Sequence, residues 1–252
     1  MAHPCEATGS FLMSELESRI ADNLARVRSR IAAAAQRAGR ASEDVRLVAV
    51  TKYVGEREIR ALLAAGCNDL GESRPQQLWQ RAAALANQKI HWHLIGHLQR
   101  NKVERTIPLV ALVHSGDSRR IVEAIDAAAQ NVMATADGSR HVPLLLEVNI
   151  SSDPAKHGFA PAELEPQLEA LASLAGIEIR GLMAMAGKPD DALAARADFA
   201  RLREFRDRLR AACPAGVSLN ELSMGMSGDY EVAIEEGATI VRIGSALFEG
   251  LS

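Results

Sequence analysis

The sequence predicts a single (β/α)8 TIM barrel with an additional N-terminal helix. Three observations predict it. Short apolar runs and amphipathic segments alternate without a break from residue 47 to residue 243. Strictly alternating strands and helices imply parallel pairing with right-handed crossovers. Eight such units in 252 residues match the usual size of this barrel. An open doubly wound sheet is the alternative. It usually shows a glycine-rich phosphate turn after its first strand, whereas here TKYVGE follows, with one glycine.

Residues 1–12 read as a flexible tail and 13–252 as one barrel domain. From Ser14 to Ala38, Leu16, Ile20, Leu24, Val27 and Ile31 fall at helical spacing. Ser14 with Glu17 resembles a capping box, and Gly39 supplies a stop. The first strand is LVAVTKY, 47–53, whose apolar residues suit a parallel strand buried on both faces. A helix over 56–66 and a strand over 68–71 follow, then a helix over 74–86 and the strand IHWHLI, 90–95. Next come a short helix over 101–106, a strand over 109–114, a helix over 118–129 and the strand VPLLLEVNI, 142–150. A short polar loop, 134–140, precedes that last strand. The chain closes with a helix over 163–174, the strand 177–185, a long charged helix over 191–212, the strand 219–224, a helix over 229–236 and the strand TIVRI, 239–243.

Composition excludes several classes. The chain is 48% hydrophobic and 24% charged, with a formal net charge of −3, so no basic excess points to nucleic acid. Cys5, Cys67 and Cys213 are far apart and odd in number, which argues against a disulfide framework. The N-terminus lacks a basic region followed by an apolar core, and no apolar stretch approaches a membrane span. A cytoplasmic protein is expected.

In such barrels chemistry sits at the C-terminal ends of the strands. Lys52 closes the first strand, where an ammonium is out of place; a desolvated lysine amine is a nucleophile toward carbonyls, and snorkelling to water is the plainer reading. Ser223 and the 225–228 loop follow strand seven, and Gly244 and Ser245 follow strand eight, where barrel phosphate sites are commonly built. Glycine lets backbone N–H groups approach an anion, and serine adds hydroxyl donors. Two ordinary turns are the alternative. Arg242 lies inside a strand that should be buried, so it needs an acceptor: a carboxylate such as Glu147 or Glu221, or a ligand at the mouth. A phosphate cradle, an inward arginine and a lysine on one face describe a site for a phosphorylated aldehyde, with pyridoxal phosphate (PLP) the candidate. His91 and His93 share one side of a strand and form a possible zinc pair. No matching His or Asp cluster appears on strands five, six or eight, so His91 is read as lying near the strand start and His93 as hydrogen bonding in or near the pocket, with no metal expected.

VTK at the end of strand one, then GESR, HLIGHLQRNK, KHGF, GLMAM, LSMGMSGDYEVAI and VRIGSALFEG resemble the pyridoxal phosphate homeostasis protein family, in order from about Arg46 to Gly250. The resemblance implies a fold like the barrel domain of alanine racemase, with PLP as an internal aldimine on Lys52. It implies that Arg242 donates to the pyridine nitrogen, that Ser223, Gly244 and Ser245 hold the phosphate, and that Met224 lies beside the ring. Ser73 stands where the family usually has an asparagine near the cofactor, and its shorter side chain reduces the reach.

A PLP carrier and an amino-acid racemase differ in their second acid/base. Alanine racemase takes it from a tyrosine in a further C-terminal β domain. Here Ser252 follows directly on the strand-eight motif, and the two tyrosines are Tyr53 and Tyr230. Strand alternation is expected to point Tyr53 away from Lys52. The reading is therefore a monomeric PLP-binding protein that stores, buffers or delivers the cofactor, with PLP-dependent apo-enzymes as recipients and no robust turnover. A racemase and a metal-dependent hydrolase built on His91 and His93 are the alternatives.

Overall fold

A computed structural model describes residues 14–132, 141–151, 153, 155–188, 191–213 and 217–251. The expected tail and the 134–140 loop lie outside the described residues.

The architecture is a closed barrel of eight parallel strands in sequence order, as the alternation predicts. The elements in chain order are α1 (Glu15–Arg37), β1 (Arg46–Val50), α2 (Glu56–Ala64), β2 (Asp69–Glu72), α3 (Pro75–Ala84), β3 (His91–Leu94), α4 (Val103–Thr106), β4 (Leu112–Gly116) and α5 (Arg119–Val132). They continue with β5 (Val142–Glu147), α6 (Pro161–Leu164), α7 (Leu168–Ala172), β6 (Ile177–Met183), α8 (Ala192–Ala211), β7 (Glu221–Ser223), α9 (Tyr230–Glu235) and β8 (Ile240–Ile243). β8 closes on β1 with Arg46 opposite Ile240 and Val48 opposite Arg242.

α1 begins at the expected capping box: Ser14 Oγ accepts from Glu17 N–H, and the Glu17 carboxylate accepts from Ser14 N–H. Its apolar stripe packs on α2 and α9, outside the point where β1 meets β8. β5, β6 and β7 end earlier than expected, at Glu147, Met183 and Ser223. The helix expected over 163–174 is broken by a 3₁₀ turn at Glu165–Gln167. Two further boundaries bear on the site. β1 ends at Val50, so Lys52 and Tyr53 lie in a turn. β4 begins at Leu112, because Pro108 fits the start of a 3₁₀ turn over Ile107–Leu109 that prolongs α4. No described helix is long and apolar enough to cross a membrane.

The core has two layers. A large cluster fills the space between barrel and helices. A small one, Val48, Leu112, Leu145, Met183 and Ile240, plugs the barrel interior. Strand alternation then sets which polar residues share that interior: His114 on β4, Ser223 on β7 and Arg242 on β8 have the same parity as the plug.

Candidate functional site

The C-terminal rim carries the Lys52 turn after β1, Ser73 after β2, Glu147 at the end of β5, the 224–228 loop after β7, and Gly244 and Ser245 after β8. Lys52 is half-buried, with Nζ 4.8 Å from the centroid of the exposed Tyr53 ring. The expectation that Tyr53 points away from Lys52 fails because β1 has already ended, and alternation does not extend through a turn.

The turn is clamped from behind. Arg81 on α3 donates from Nη1 to the Thr51 carbonyl at 2.7 Å and from Nη2 to the Val54 carbonyl. Arg81 also pairs with Glu72, whose Oε1 accepts from the Thr51 hydroxyl. Gln77, one turn earlier on α3, donates to the Lys52 carbonyl at 3.2 Å. Glu72 is fully buried, and burial pushes its carboxyl above the usual range against the pull of Thr51 and Arg81.

Arg242 is buried on β8, the strand beside β1, with Val48 as its register partner. Its Nη1 donates to the Ser223 carbonyl at 2.8 Å and to Ser223 Oγ at 2.6 Å, and its Nη2 to the Ala184 carbonyl at 3.2 Å. Burial lowers its pKa to about 10, opposed by the nearby charges of Glu147 and Asp229, so it stays protonated at neutral pH. Glu221, considered as its partner, instead faces Arg46 at 3.6 Å.

From Ser223 a polar row runs down the barrel. Ser223 Oγ meets His114 Nδ1 at 2.8 Å, His114 Nε2 meets His93 Nδ1 at 2.9 Å, and His93 Nε2 meets Asp69 Oδ1 at 3.1 Å. Burial lowers the pKa of both imidazoles, which keeps them neutral at pH 7. An arginine can only donate and a carboxylate only accept. One assignment therefore satisfies every pair: Arg242 to Ser223, Ser223 to His114, His114 to His93, His93 to Asp69. Burial pushes Asp69 up, but the His93 bond and nearby positive charge more than offset this and leave it below the usual range. His91 lies at the exposed start of β3, 3.5 Å from Asp69, as expected for the strand start. His93 is deep in the barrel and reaches the rim only through His114.

The two expected turns are joined: Gly244 N–H donates to Ser227 Oγ at 3.2 Å. Gly225 holds φ +93, and its carbonyl accepts from Arg242 N–H at 3.0 Å. Asp229 Oδ1 accepts from Met226 N–H at 2.6 Å. Ser245 is exposed and opens a 3₁₀ turn whose first internal bond runs from Leu247 N–H to the Gly244 carbonyl. The Ser223 hydroxyl is buried between His114 and Arg242, below the rim. Met224 is corrected. Its side chain, one residue past β7, is fully buried in the large apolar cluster and leaves no face open to the mouth. Ser73 is half-buried, with its backbone so close to Gly96 that a Cβ there would lie 2.3 Å from the Ser73 carbonyl oxygen.

The profile of the alanine racemase N-terminal domain family matches residues 23–251. A Pseudomonas aeruginosa protein named pyridoxal phosphate homeostasis protein is 39% identical over 231 residues, covering 92% of this chain and 95% of its own length. The chain belongs to the pyridoxal phosphate homeostasis protein family. Among solved structures, PipY of Synechococcus elongatus with PLP bound superposes with a TM-score of 0.78 at 34% identity, over 91% of this chain and 99% of PipY. An alanine racemase of Clostridium difficile gives 0.71 at 15% identity, over 92% of this chain and 56% of the racemase, a likeness of fold.

Several members of the site in this family member escape sequence reading. Arg81 and Glu72 belong to different elements. His114 is legible only as a polar residue within an apolar strand. Ser227 is the second serine of a motif whose first serine draws attention.

Proposed function

We propose that this chain binds pyridoxal 5'-phosphate at the barrel mouth and serves PLP homeostasis as a cytoplasmic, monomeric carrier that stores, buffers or delivers it to PLP-dependent apo-enzymes. The observation that carries the reading is the buried Arg242, fixed by Ser223 and the Ala184 carbonyl beneath a glycine- and serine-rich rim. The homeostasis name of the relatives and the PLP in PipY support it.

The donor set fits a phosphorylated aldehyde. Ser245 and Ser227 bring hydroxyls to the rim, with the Gly244 N–H held on Ser227 Oγ beside them, a donor set of the kind phosphate recognition uses. Ser223 is assigned the task of aiming Arg242, and the Met224 backbone, not its side chain, stays at the rim. Lys52 offers the primary amine, on a turn that Arg81 and Gln77 hold in place. When bound, the cofactor supplies an aldehyde that a lysine amine captures reversibly with loss of water. Arg242 would hold the ring nitrogen as an acceptor while keeping its own proton, and so would withhold the ring protonation that an electron sink needs. That favours holding over turnover.

The test is an absorbance spectrum of purified protein before and after borohydride, with mapping of the modified peptide. The modification is expected at Lys52, and Lys52→Ala is expected to abolish both the band and the covalent product. Intact bound cofactor in Lys52→Ala overturns the site, and sustained D-isomer formation from L-amino acids overturns the carrier role.

A further inference from the structure

Two histidines that the cofactor reading does not use meet on the other side of the mouth. His97 follows β3, His157 lies in the loop after β5, and their rings stack with centroids 4.8 Å apart at 20°. Asp117, one residue past β4, is buried, and its Oδ2 accepts from His97 Nδ1 at 2.6 Å. One donor atom from each of the three lies within 4.8 Å of the others, a grouping of His, Cys, Asp or Glu that occurs nowhere else among the described residues.

The loop geometry delivers His157 to this place. Gly158 holds φ +108, where a Cβ would lie 2.9 Å from both the Asn149 nitrogen and the Glu147 carbonyl oxygen. Phe159 then bridges back to Val148. The Asn149 side chain donates to the Asp153 and Lys156 carbonyls, and Lys156 Nζ reaches the Ala186 carbonyl at 2.6 Å. Asp117 is oriented as well, since its Oδ1 accepts from Ser118 Oγ at 3.0 Å. Outer hydrogen bonds of this kind fix metal-binding carboxylates.

We propose that His97, Asp117 and His157 form a binding site for a zinc-type divalent metal ion at the barrel rim. Two imidazoles and a carboxylate suit zinc and its neighbours in the first transition row, whereas calcium and magnesium prefer all-oxygen sets. Both histidines are exposed, which gives the ion a path in and leaves a coordination position for water. Zinc bonds of about 2.0–2.2 Å require the 2.6 Å His97–Asp117 hydrogen bond to open and its proton to leave to solvent as the ion takes its place. The site uses neither Lys52 nor the loops after β7 and β8, so it stands apart from the cofactor reading.

The test is zinc stoichiometry and affinity on tag-free, full-length protein, by elemental analysis after gel filtration and by competition with a chromogenic chelator. One zinc per chain is expected. His97→Ala and the milder His157→Asn are each expected to weaken binding by at least about tenfold, the loss that even an outer partner's removal causes. His91→Ala, at the far end of the barrel, is expected to change nothing, and unfolding transitions of all variants show that each is folded. The site is overturned by less than stoichiometric zinc in the folded protein, by stoichiometric zinc that survives His97→Ala combined with His157→Asn, or by equal loss in His91→Ala.

Discussion

Arg81 Nη1 reaches from α3 to the main-chain carbonyl of Thr51, 2.7 Å away, and so ties the residue before Lys52 to a helix that follows the next strand. The same guanidinium neutralises Glu72, which is fully buried. Arg81→Ala would strand that carboxylate, and breaking one side of a buried pair costs about 3–5 kcal/mol. Urea unfolding of Arg81→Ala is expected to show a loss of this size, while Arg81→Ala combined with Glu72→Gln recovers part of it. Unchanged stability of the single variant would refute the clamp.

Ser223 joins a donor and an acceptor that have no other way to meet. Ser223→Ala leaves Arg242 Nη1 with the Ser223 carbonyl alone and removes the partner of His114 Nδ1. Orphaning buried polar groups costs about 1–3 kcal/mol. The expected outcome is a melting transition lowered accordingly, and weaker retention of PLP than in Ser223→Thr, which keeps a hydroxyl.

Glu147 gives the protein a pH dependence of known sign. Burial, reinforced by Asp117 and opposed by Arg242, raises its pKa from 4.5 to about 7. A raised carboxyl pKa means that the native state holds the proton more tightly than the unfolded chain. The stability from this residue is full below pH 4.5 and is lost as pH rises through about 7, a difference of about 3 kcal/mol. Glu147→Gln, neutral throughout, is expected to gain relative stability between pH 5 and pH 8 in paired urea titrations. A constant gap across that range would refute the assignment.

The loop after β7 depends on one glycine. At Gly225 a Cβ would lie 2.6 Å from Ala233 Cβ and 2.9 Å from Tyr230 Cα, at a φ that side chains disfavour. Gly225→Ala is expected to cost about 1 kcal/mol or more and to shift the loop that meets Gly244. Lowered thermal stability together with faster loss of PLP on gel filtration checks this, and wild-type behaviour would refute it.

All eight strands were legible, because buried parallel strands are apolar on both faces and each is followed by an amphipathic helix. What misled was local. Pro108 moves the start of β4 past the point where apolarity begins, so His114 looks like a rim residue and is in fact inside the barrel. β1 stops before Lys52, so alternation misplaces Tyr53. β7 stops before Met224, whose side chain joins the large apolar cluster. Arg81 meets Glu72 because α3 packs back on β2, and His97 meets His157 because β3 and β5 flank β4; the apolar pattern encodes the elements and not these polar meetings.

The row from Arg242 to Asp69 is, in effect, an ion pair stretched end to end through the barrel, with a hydroxyl and two imidazoles standing between its charges. Its far terminus is partly open to solvent on the floor, 29% exposed at the Asp69 side chain. Neutralising that floor residue would unpin His93 and free both rings to exchange tautomers, while Arg242 keeps the Ser223 and Ala184 carbonyls. What the floor can disturb from below is thus the direction of one hydroxyl, and the arginine itself stays moored to main chain.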